Sequence, residues 1–286
     1  MAKGKEKFLI TGATGNVGSE IVKSMDKDKM LIATRNIEKA EKNLGEDLEY
    51  TVFDFMRPAT YQESLKRVKK IFLVRPPKIS DVKEHIFPII DRAEECGVEH
   101  IVFLSLLGVE KNPIVPHYKI EKYIKESNIP FTFLRASFFM QNLNTTHRKD
   151  IKENDEIFVP AGKGKTSFID VRDIAKVGVK ALVESGHENE AYDLTGKEAL
   201  NYYQIAEIFS EILDREITYP NPSIFKFFRR MKKREHNIGF IFVMIGLYTT
   251  ARLGLAKRTS EELQNLLDRE PISIRKYIKD YREEWT

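Results

Sequence analysis

Residues 8–18 read Phe8-Leu9-Ile10-Thr11-Gly12-Ala13-Thr14-Gly15-Asn16-Val17-Gly18. A short apolar run typical of a buried strand enters a glycine-rich turn, and Val17, Ile21 and Val22 then recur at helical spacing. Glycines at these steps let the backbone turn sharply, approach a phosphate closely and pack the helix against the strand. The pattern therefore predicts a dinucleotide site with its phosphates at the positive end of the helix. The alternative is a glycine-rich turn that binds no ligand.

The chain after this turn continues to alternate between strand and helix patterns. Strands are predicted at residues 30–34, 51–54, 71–74, 101–105 and 131–135, with helical patterns between them. Such alternation is typical of an α/β protein with a Rossmann-type, doubly wound parallel sheet.

Beyond about residue 138 the alternation loosens. Strands are predicted at 166–170 and 191–194, a helix at 173–184, and mainly helices after Asn201. We expect a single unit over residues 1–286, with a dinucleotide-binding core at 6–137. A smaller, mostly helical substrate-binding part at 138–286 is expected not to fold alone and to close a pocket at the carboxyl edge of the sheet.

Several local signals predict how individual helices begin and end. Thr60 and Glu63 have capping-box spacing for a helix through Lys69. Pro88 is expected to kink a helix over residues 81–96, and Asp173 to cap the helix that follows it. The apolar stretch 238–248 is shorter than the about 20 residues that cross a bilayer, so we expect a buried or pocket-lining helix.

Composition excludes several classes of protein. Of the 286 residues, 42% are apolar and 31% charged, which is a globular balance. The net charge of +4 is dispersed, so no strong nucleic-acid footprint is expected. The single cysteine, Cys96, is expected to be a small buried residue in a reducing compartment. The charged start of the chain does not resemble a signal peptide, and a cytoplasmic location is expected.

Two further groups of charged residues have mainly bland interpretations. No His, Cys, Asp and Glu set has metal-ligand spacing, so no metal is expected. The basic run Arg229–Arg234 is interpreted as a solvated helix face, with a site for nucleic acid or an acidic partner as the alternative.

The end of the second predicted strand indicates which dinucleotide binds. It reads Ala33-Thr34-Arg35-Asn36, without the carboxylate that usually holds the ribose hydroxyls of NAD. A guanidinium can pair with a 2′-phosphate, and Lys39 adds charge one helical turn later. We therefore expect NADP(H) rather than NAD(H), unless Arg35 is only a solvated loop residue. Asp54 either meets the adenine edge or forms an Asx turn.

Further segments carry a family resemblance. They are Leu104-Ser105-Leu106-Leu107-Gly108, His117-Tyr118-Lys119-Ile120-Glu121, Phe138-Phe139-Met140-Gln141-Asn142, Phe168-Ile169-Asp170-Val171-Arg172-Asp173 and Tyr192-Asp193-Leu194-Thr195-Gly196. In this order they resemble the NmrA-like atypical short-chain dehydrogenases, nearest the triphenylmethane reductase and NADPH-quinone oxidoreductase branch. The resemblance runs from about residue 6 to residue 220.

The resemblance implies which residues hold the cofactor. We expect it to contact Thr11, Gly12, Thr14, Gly15, Asn16, Val17, Gly18, Arg35, Lys39, Asp54, Phe55, Val74, Arg75, Pro76, Ser105 and His117.

The catalytic pair of the wider dehydrogenase family is in doubt. These enzymes use Tyr-x-x-x-Lys, in which the lysine lowers the tyrosine pKa. Tyr118 and Lys122 match that spacing. In extended members of the family, however, a glutamate commonly follows the catalytic lysine by four positions, and Glu121 would then place His117 at the lysine position. The tyrosine position then falls on Pro113. The candidate catalytic residues are therefore His117, Ser105 and, as the less favoured alternative, Tyr118.

Without that tyrosine, the simplest chemistry is hydride transfer to a flat, electron-poor acceptor such as a quinone or dye, which needs mainly orientation and a dry pocket. His117 is expected to position the nicotinamide ribose or donate a proton, unless it only caps its helix. Aromatic and thioether side chains suit a flat apolar substrate. The candidate substrate residues are Phe138, Phe139, Met140 and Asn142, with core packing as the alternative.

Three functions remain open. The first is an NADPH-dependent oxidoreductase acting on a small molecule. The second is a non-enzymatic NADP(H)-sensing regulator, for which residues 229–234 would be a contact surface. The third is a nucleotide-sugar epimerase or dehydratase, against which Arg35 and the missing tyrosine argue. Neither a membrane nor nucleic acid is expected as a partner, while a homodimer or a regulatory protein partner stays open.

Overall fold

The computed structural model describes residues 7–286. In chain order its first elements are β1 (Lys7–Ile10), α1 (Asn16–Ser24), β2 (Met30–Thr34), α2 (Ile37–Leu44), β3 (Tyr50–Val52), α3 (Tyr61–Leu65), β4 (Val68–Leu73), α4 (Val82–His85), α5 (Phe87–Glu95), β5 (His100–Leu106), α6 (Pro116–Glu126) and β6 (Phe131–Ala136). They are followed by β7 (Phe138–Phe139), α7 (Arg148–Asn154), β8 (Thr166–Ile169), α8 (Val171–Val183), β9 (Glu190–Leu194), β10 (Ala199–Leu200), α9 (Tyr202–Leu213), α10 (Ile224–Lys233), α11 (Ile238–Arg252), α12 (Glu262–Leu267) and α13 (Ile274–Asp280).

The main sheet has seven parallel strands in the order β3-β2-β1-β4-β5-β6-β9. The chain runs outward from β1 to β3, then returns to the other side of β1 and continues through β4 to β9. In sheets of this kind ligands bind at the carboxyl ends of the strands where the order reverses. The predicted Rossmann-type doubly wound sheet is confirmed.

The central strands are apolar on both faces because helices cover both sides of the sheet. Leu9, Phe103 and Phe133 are fully buried in a cluster on one face. On the other face α8 packs closely, since a Cβ on Gly178 would lie 3.2 Å from Phe72 and 3.3 Å from Ile21. A glycine at that point lets the helix approach the strands.

The described residues form two compact units. One comprises the residues up to Ala136 with Val171–Leu194, and the other comprises Ser137–Asp170 with Thr195–Thr286. The sequence placed everything after residue 137 in the second part, which was wrong for residues 171–194. Those residues belong with the main sheet because β9 pairs in parallel with β6.

The second unit has a three-stranded sheet of its own, in the order β10-β8-β7. Its remaining elements are helices, as the sequence predicted for the region after Asn201. Its core includes the fully buried aromatic side chains of Phe209, Phe227, Tyr277 and Trp285.

Three predicted helix boundaries were wrong. Thr60 does not cap α3, because its hydroxyl donates to the carbonyl of Arg57 at 2.8 Å, and the helix ends at Leu65. Residues 81–96 form two helices, with Pro88 in the first turn of the second. Asp173 lies inside the first turn of α8, fully buried, instead of preceding the helix. Spacing alone did not reveal that Thr60 would instead form local hydrogen bonds with Arg57 and Asp54.

Two apolar features are less buried than expected. Cys96 is half-buried at the end of α5. The apolar stretch 238–248 is helical, but only one side of α11 is buried, through Ile241, Met244 and Tyr248. Its opposite side faces solvent, which the composition of the stretch could not show.

Candidate functional site

The glycine-rich turn has a backbone that other residues could not adopt. Gly12 has a φ of +64°, and a Cβ there would lie 3.1 Å from Cβ of Val74. A Cβ on Gly18 would lie 2.2 Å from the carbonyl oxygen of Gly12. The first glycine is required by the turn and the third by the close packing of α1 on β1.

The start of α1 has free capacity for an anion. Gly15 is the residue before the helix and provides no side-chain cap, while Thr14, Gly15 and Asn16 are exposed. The first N–H groups of a helix lack partners within the helix and carry a partial positive charge. Bare N–H groups beside a glycine cradle fit a pyrophosphate.

Thr11 supports this turn from below. Its buried hydroxyl donates to the carbonyl of Phe72 at 3.0 Å and accepts from the N–H of Val74 at 2.8 Å. These bonds tie the end of β1 to the end of β4. The predicted cofactor role of Thr11 is therefore best understood as positioning of the loop.

The end of β2 is positively charged and solvent-accessible. Arg35 and Lys39 are both exposed. Asn36 caps α2 by accepting the N–H of Lys39 at 2.8 Å. This cap fixes the turn between the two cations, and the absence of a carboxylate from Ala33 to Asn36 leaves a site suited to a phosphate.

The next predicted contacts, at the end of β3, are partly committed to the fold. Asp54 forms an Asx turn, since its Oδ1 accepts the N–H of Met56 at 3.0 Å. Phe55 is buried in the core and packs edge-on against Phe53, with ring centroids 4.8 Å apart. Its carbonyl accepts the hydroxyl of Tyr61 at 2.7 Å, so both its ring and its carbonyl are committed to the fold. An adenine contact at Asp54 stays a prediction.

The loop after β4 contains an unsatisfied donor. Nη1 of Arg75 donates to the carbonyls of Pro76 at 3.0 Å and Ile79 at 2.5 Å, which folds the loop on itself. Nε of the same guanidinium is buried and has no partner among the described residues. Burial lowers the pKa of Arg75. A buried donor without a partner is costly unless a ligand supplies an acceptor.

His117 is held as a neutral ring in the first turn of α6. Its ring lies against Phe103 with centroids 5.8 Å apart. Burial, and secondarily the charge of Arg75, lower the pKa of His117 to about 3. The helix start has no side-chain cap, so the capping role is not observed. A neutral imidazole can donate or accept a hydrogen bond, but it does not supply an imidazolium proton near neutral pH.

Ser105 is joined to a buried charge pair that the sequence did not predict. Its hydroxyl donates to Oε1 of Glu121 at 2.6 Å. Arg135 donates to both oxygens of Glu121, at 3.1 and 2.7 Å. The hydroxyl hydrogen of Ser105 is committed to Glu121, so only the oxygen of Ser105 is left to accept a hydrogen bond from a ligand. The resemblance to the dehydrogenases drew attention to Glu121, but it did not indicate that Arg135 is the ion-pair partner of Glu121.

The surroundings of Lys122 do not support the Tyr118–Lys122 pair. Nζ of Lys122 lies 3.7 Å from Glu126 in an exposed ion pair, and 65% of the Lys122 side chain is accessible. Tyr118 is half-buried. A lysine paired with Glu126 at the surface is not placed to assist a catalytic tyrosine, which favours the His117 register.

The candidate substrate residues lie in the second unit. Met140 is 2% exposed and belongs to the core, so core packing is the better interpretation for it. Phe138 is partly buried and packs edge-on against Phe168, with centroids 6.5 Å apart. Phe139 and Asn142 are half-buried, and the Asn142 carbonyl accepts the N–H of His147 at 3.1 Å. Their substrate roles stay predictions.

The basic run is partly structural. Asp150, whose side chain is fully buried, accepts from Arg230 at 3.0 Å and from Arg234 at 2.7 Å. Arg229, Lys232 and Lys233 are exposed. The interpretation of the run as a solvated face was therefore wrong for Arg230 and Arg234, because α10 turns these two toward α7.

Two general properties of residues 7–286 bear on the site. No group of three or more His, Cys, Asp or Glu side chains in this range could hold a metal ion. Within the same range, no helix has both the length and the apolarity that crossing a membrane requires.

Comparison with known proteins identifies relatives over nearly the whole chain. Residues 4–278 match the NmrA-like family. The NAD(P)H azoreductase of Xenophilus azovorans is 33% identical over 218 residues, covering 74% of this chain and 76% of that protein.

Solved structures share the fold. The Citrobacter sp. triphenylmethane reductase, complexed with NADP(H), has a TM-score of 0.85 at 23% identity and covers 96% of this chain and 99% of its own. The Escherichia coli quinone oxidoreductase QOR2, complexed with NADPH, has a TM-score of 0.85 at 23% identity and covers 96% of this chain and 99% of its own. NmrA, a negative transcriptional regulator in complex with NADP, has a TM-score of 0.75 at 13% identity and covers 98% of this chain and 97% of its own.

Proposed function

This chain belongs to the NmrA-like family, and we propose that it is an oxidoreductase that uses NADPH to reduce a flat, electron-poor acceptor such as a quinone or dye. The observation that carries the proposal is the pair of exposed cations Arg35 and Lys39 at the end of β2, beside a glycine turn that fits a pyrophosphate. The enzyme class agrees with the names of the azoreductase and quinone oxidoreductase relatives, and the cofactor agrees with the NADP(H) and NADPH complexes of the solved structures.

The residues at the carboxyl ends of the strands suit hydride transfer without a general acid from the protein, and the anion left by hydride transfer to a quinone takes its proton from water. The bound cofactor supplies the hydride. His117 is neutral and can orient a ribose hydroxyl or an amide, and Ser105 can accept a hydrogen bond. Within residues 7–286, Nε of Arg75 has no hydrogen-bond partner, and it can donate to an oxygen of the ligand. These three side chains can bind and orient the cofactor and the acceptor. An acceptor that is itself electron-poor needs little beyond that orientation to accept hydride.

The experiment that tests this proposal measures NADPH and NADH oxidation with a panel of quinones, azo dyes and triphenylmethane dyes. Arg35→Glu should lower kcat/KM for NADPH by roughly 10²- to 10³-fold, since it removes a charge-assisted contact and adds repulsion, and should leave NADH nearly unchanged. Lys42→Glu, an equal charge reversal at an exposed residue near the far end of α2, is the matched control. Equal losses in both variants, or a preference for NADH, would overturn the cofactor assignment.

A second candidate is an NADP(H)-sensing regulator. It is favoured by Pro113 at the tyrosine position and by the fold shared with the regulator NmrA. Tight binding of NADP⁺ and NADPH with no turnover on any acceptor would support it. The epimerase or dehydratase alternative would instead be supported by NAD that copurifies with the chain.

A further inference from the structure

The second unit exposes an unusually apolar surface on α10, α11 and the segment that follows them. We call it the α10–α11 surface. Its exposed apolar side chains include Phe225 at 74%, Phe242 at 61%, Val243 at 57%, Leu253 at 68% and Leu255 at 71% accessibility. Exposed patches of this kind on soluble domains usually mark an interaction site.

The two helices form one continuous face. Ile241, Met244 and Tyr248 point into the core, so Phe242 and Val243 fall on the opposite side of α11. Phe228 of α10 contacts Phe242 of α11, with ring centroids 5.9 Å apart. This ring contact joins the apolar side chains of the two helices at one point.

Helical spacing places positive charge beside these apolar residues. Phe225, Arg229 and Lys232 lie on one side of α10, at steps of four and three residues. Arg229, Lys232 and Lys233 are exposed, whereas Arg230 and Arg234 face Asp150. Two arginines of the basic run are therefore structural, and the other three cations are exposed to solvent.

Charge decides between the occupants that could cover this face. Residues 224–258 contain nine of the chain's 47 basic residues but only one of its 43 acidic residues, so they account for more than the whole net charge of +4. Two copies of the face would place like charges against each other. A nucleic-acid backbone would satisfy the cations but leave Phe242, Val243 and Leu247 without an apolar partner.

We propose that the α10–α11 surface binds the surface of an anionic phospholipid bilayer. Apolar side chains beside lysines and arginines are typical of helices that lie in the interface, with aromatic groups at the level of the lipid headgroups and cations near the phosphates. At about 1.5 Å per residue, α11 is about 22 Å long, shorter than a bilayer core of about 30 Å, so it lies in the interface and does not span it.

This proposal departs from the expectation, made from the sequence, that the chain has no membrane partner. That expectation rested on the brevity of the apolar stretch, and the exposure of one side of the helix is a tertiary property. The proposal is independent of the proposed reductase activity, because none of the residues of this surface is among the candidate cofactor residues.

The experiment measures cosedimentation of the full chain with vesicles of phosphatidylcholine alone and of phosphatidylcholine mixed with phosphatidylglycerol. Binding is expected only to the anionic vesicles, and it should weaken as salt rises. Lys232→Ala with Lys233→Ala should weaken binding roughly thirtyfold. Phe242→Ser with Val243→Ser should weaken it at least about tenfold through the lost apolar burial. Lys42→Ala with Lys66→Ala, two exposed lysines of the other unit, is the matched control.

A fluorescence variant gives a second readout. The only tryptophan of the chain, Trp285, is fully buried. A reporter introduced by Phe242→Trp at the exposed position should therefore shift to shorter wavelength when anionic vesicles are added, and Trp285 should not respond.

Three results would overturn the proposal. The first is no binding to anionic vesicles at low salt. The second is binding that persists in the Phe242→Ser and Val243→Ser variant, which would indicate nonspecific adsorption of a basic protein. The third is a dimer in light scattering that the same variant abolishes, which would assign the surface to a second copy of the chain.

Discussion

The hydroxyl of Ser105, near the end of β5, donates a 2.6 Å hydrogen bond to a carboxylate oxygen of Glu121 in α6. The same carboxylate is held by the guanidinium of Arg135 from β6. These hydrogen bonds tie β5, α6 and β6 together one helical turn from His117. The serine is consequently oriented by its neighbours and has no proton to offer a substrate.

Glu121→Gln should destabilise the fold strongly. It leaves Arg135, which is largely buried, without its main counter-charge, and the free energy of unfolding should fall by about 3 kcal/mol. Ser105→Ala, which removes a single hydrogen bond, should cost about 1 to 2 kcal/mol. Urea unfolding measures both. Glu110→Gln, at a more exposed carboxylate 3.5 Å from the same arginine, is the control. Losses of equal size for Glu110→Gln and Glu121→Gln would show that the burial of Glu121 does not matter.

Gly18→Ala should abolish cofactor binding, because its Cβ would overlap the carbonyl of Gly12 and push α1 away from β1. Isothermal titration with NADPH tests this, with unfolding measured in parallel. Gly246→Ala in α11 is the control, since a Cβ there meets no atom within 4 Å. That change should leave NADPH affinity unaltered and stabilise the helix by about 0.5 to 1 kcal/mol. Unchanged affinity in Gly18→Ala would argue against the predicted pyrophosphate site.

Acid should destabilise the chain through buried histidines. Burial lowers the pKa of His147 from 6.5 to about 4, in the folded state. Below pH 6.5 the imidazole is protonated in the unfolded chain but stays neutral in the folded chain. The contribution of His147 to the free energy of unfolding is therefore complete above pH 6.5 and is lost as the pH falls toward 4. Removing this histidine should reduce the loss of stability between pH 7 and pH 5 by about 2 kcal/mol.

The measurement is urea unfolding of the parent chain and of His147→Gln at both pH values. The change also removes the contact with the Tyr248 hydroxyl, which lowers stability at every pH and so does not affect the slope. His85→Gln, the same substitution at a half-buried histidine of α4, is the control. Identical slopes in His147→Gln and the parent would contradict the assignment.

Arg234→Ala and Lys233→Ala should differ although the residues are neighbours. Arg234 makes two hydrogen bonds of 2.7 Å to the fully buried Asp150, while Lys233 is exposed. Loss of the arginine leaves a buried carboxylate with Arg230 alone and should cost about 2 to 4 kcal/mol. The lysine change should stay within about 0.5 kcal/mol. Thermal unfolding of both variants distinguishes them, and similar Tm values would contradict the structural role of Arg234.

Much of the first unit could be predicted from short stretches of sequence. The glycine turn, the helix that starts at Asn16 and the strand Met30–Thr34 were predicted where the structure has them. The ends of the other strands shift by one to three residues in either direction, because pairing with the neighbouring strand, and not apolar character alone, decides where a strand ends. The parallel sheet could be predicted because strand patterns alternate with helix patterns along the chain. Parallel strands that are buried on both faces need helices to cover those faces.

Less of the candidate site could be predicted. The sequence identified the cations at the end of β2 and the position of His117. It did not show that Phe55 and Met140 are core residues, nor that the ring of His117 is neutral. Burial depends on what the rest of the chain places around a side chain, and local spacing carries no information about that.

Spacing along the chain was sufficient to predict the glycine-rich turn and the strands and helices of the first unit. Both depend on sterics and periodicity, which act between residues that are close in sequence. Packing between distant segments was needed for the rest. Asp150 meets arginines 80 and 84 residues later, and Tyr248 meets a histidine 101 residues earlier. The same packing buries one side of α11 and leaves the other in solvent, so exposure of the α10–α11 surface is a property of the fold and not of its composition.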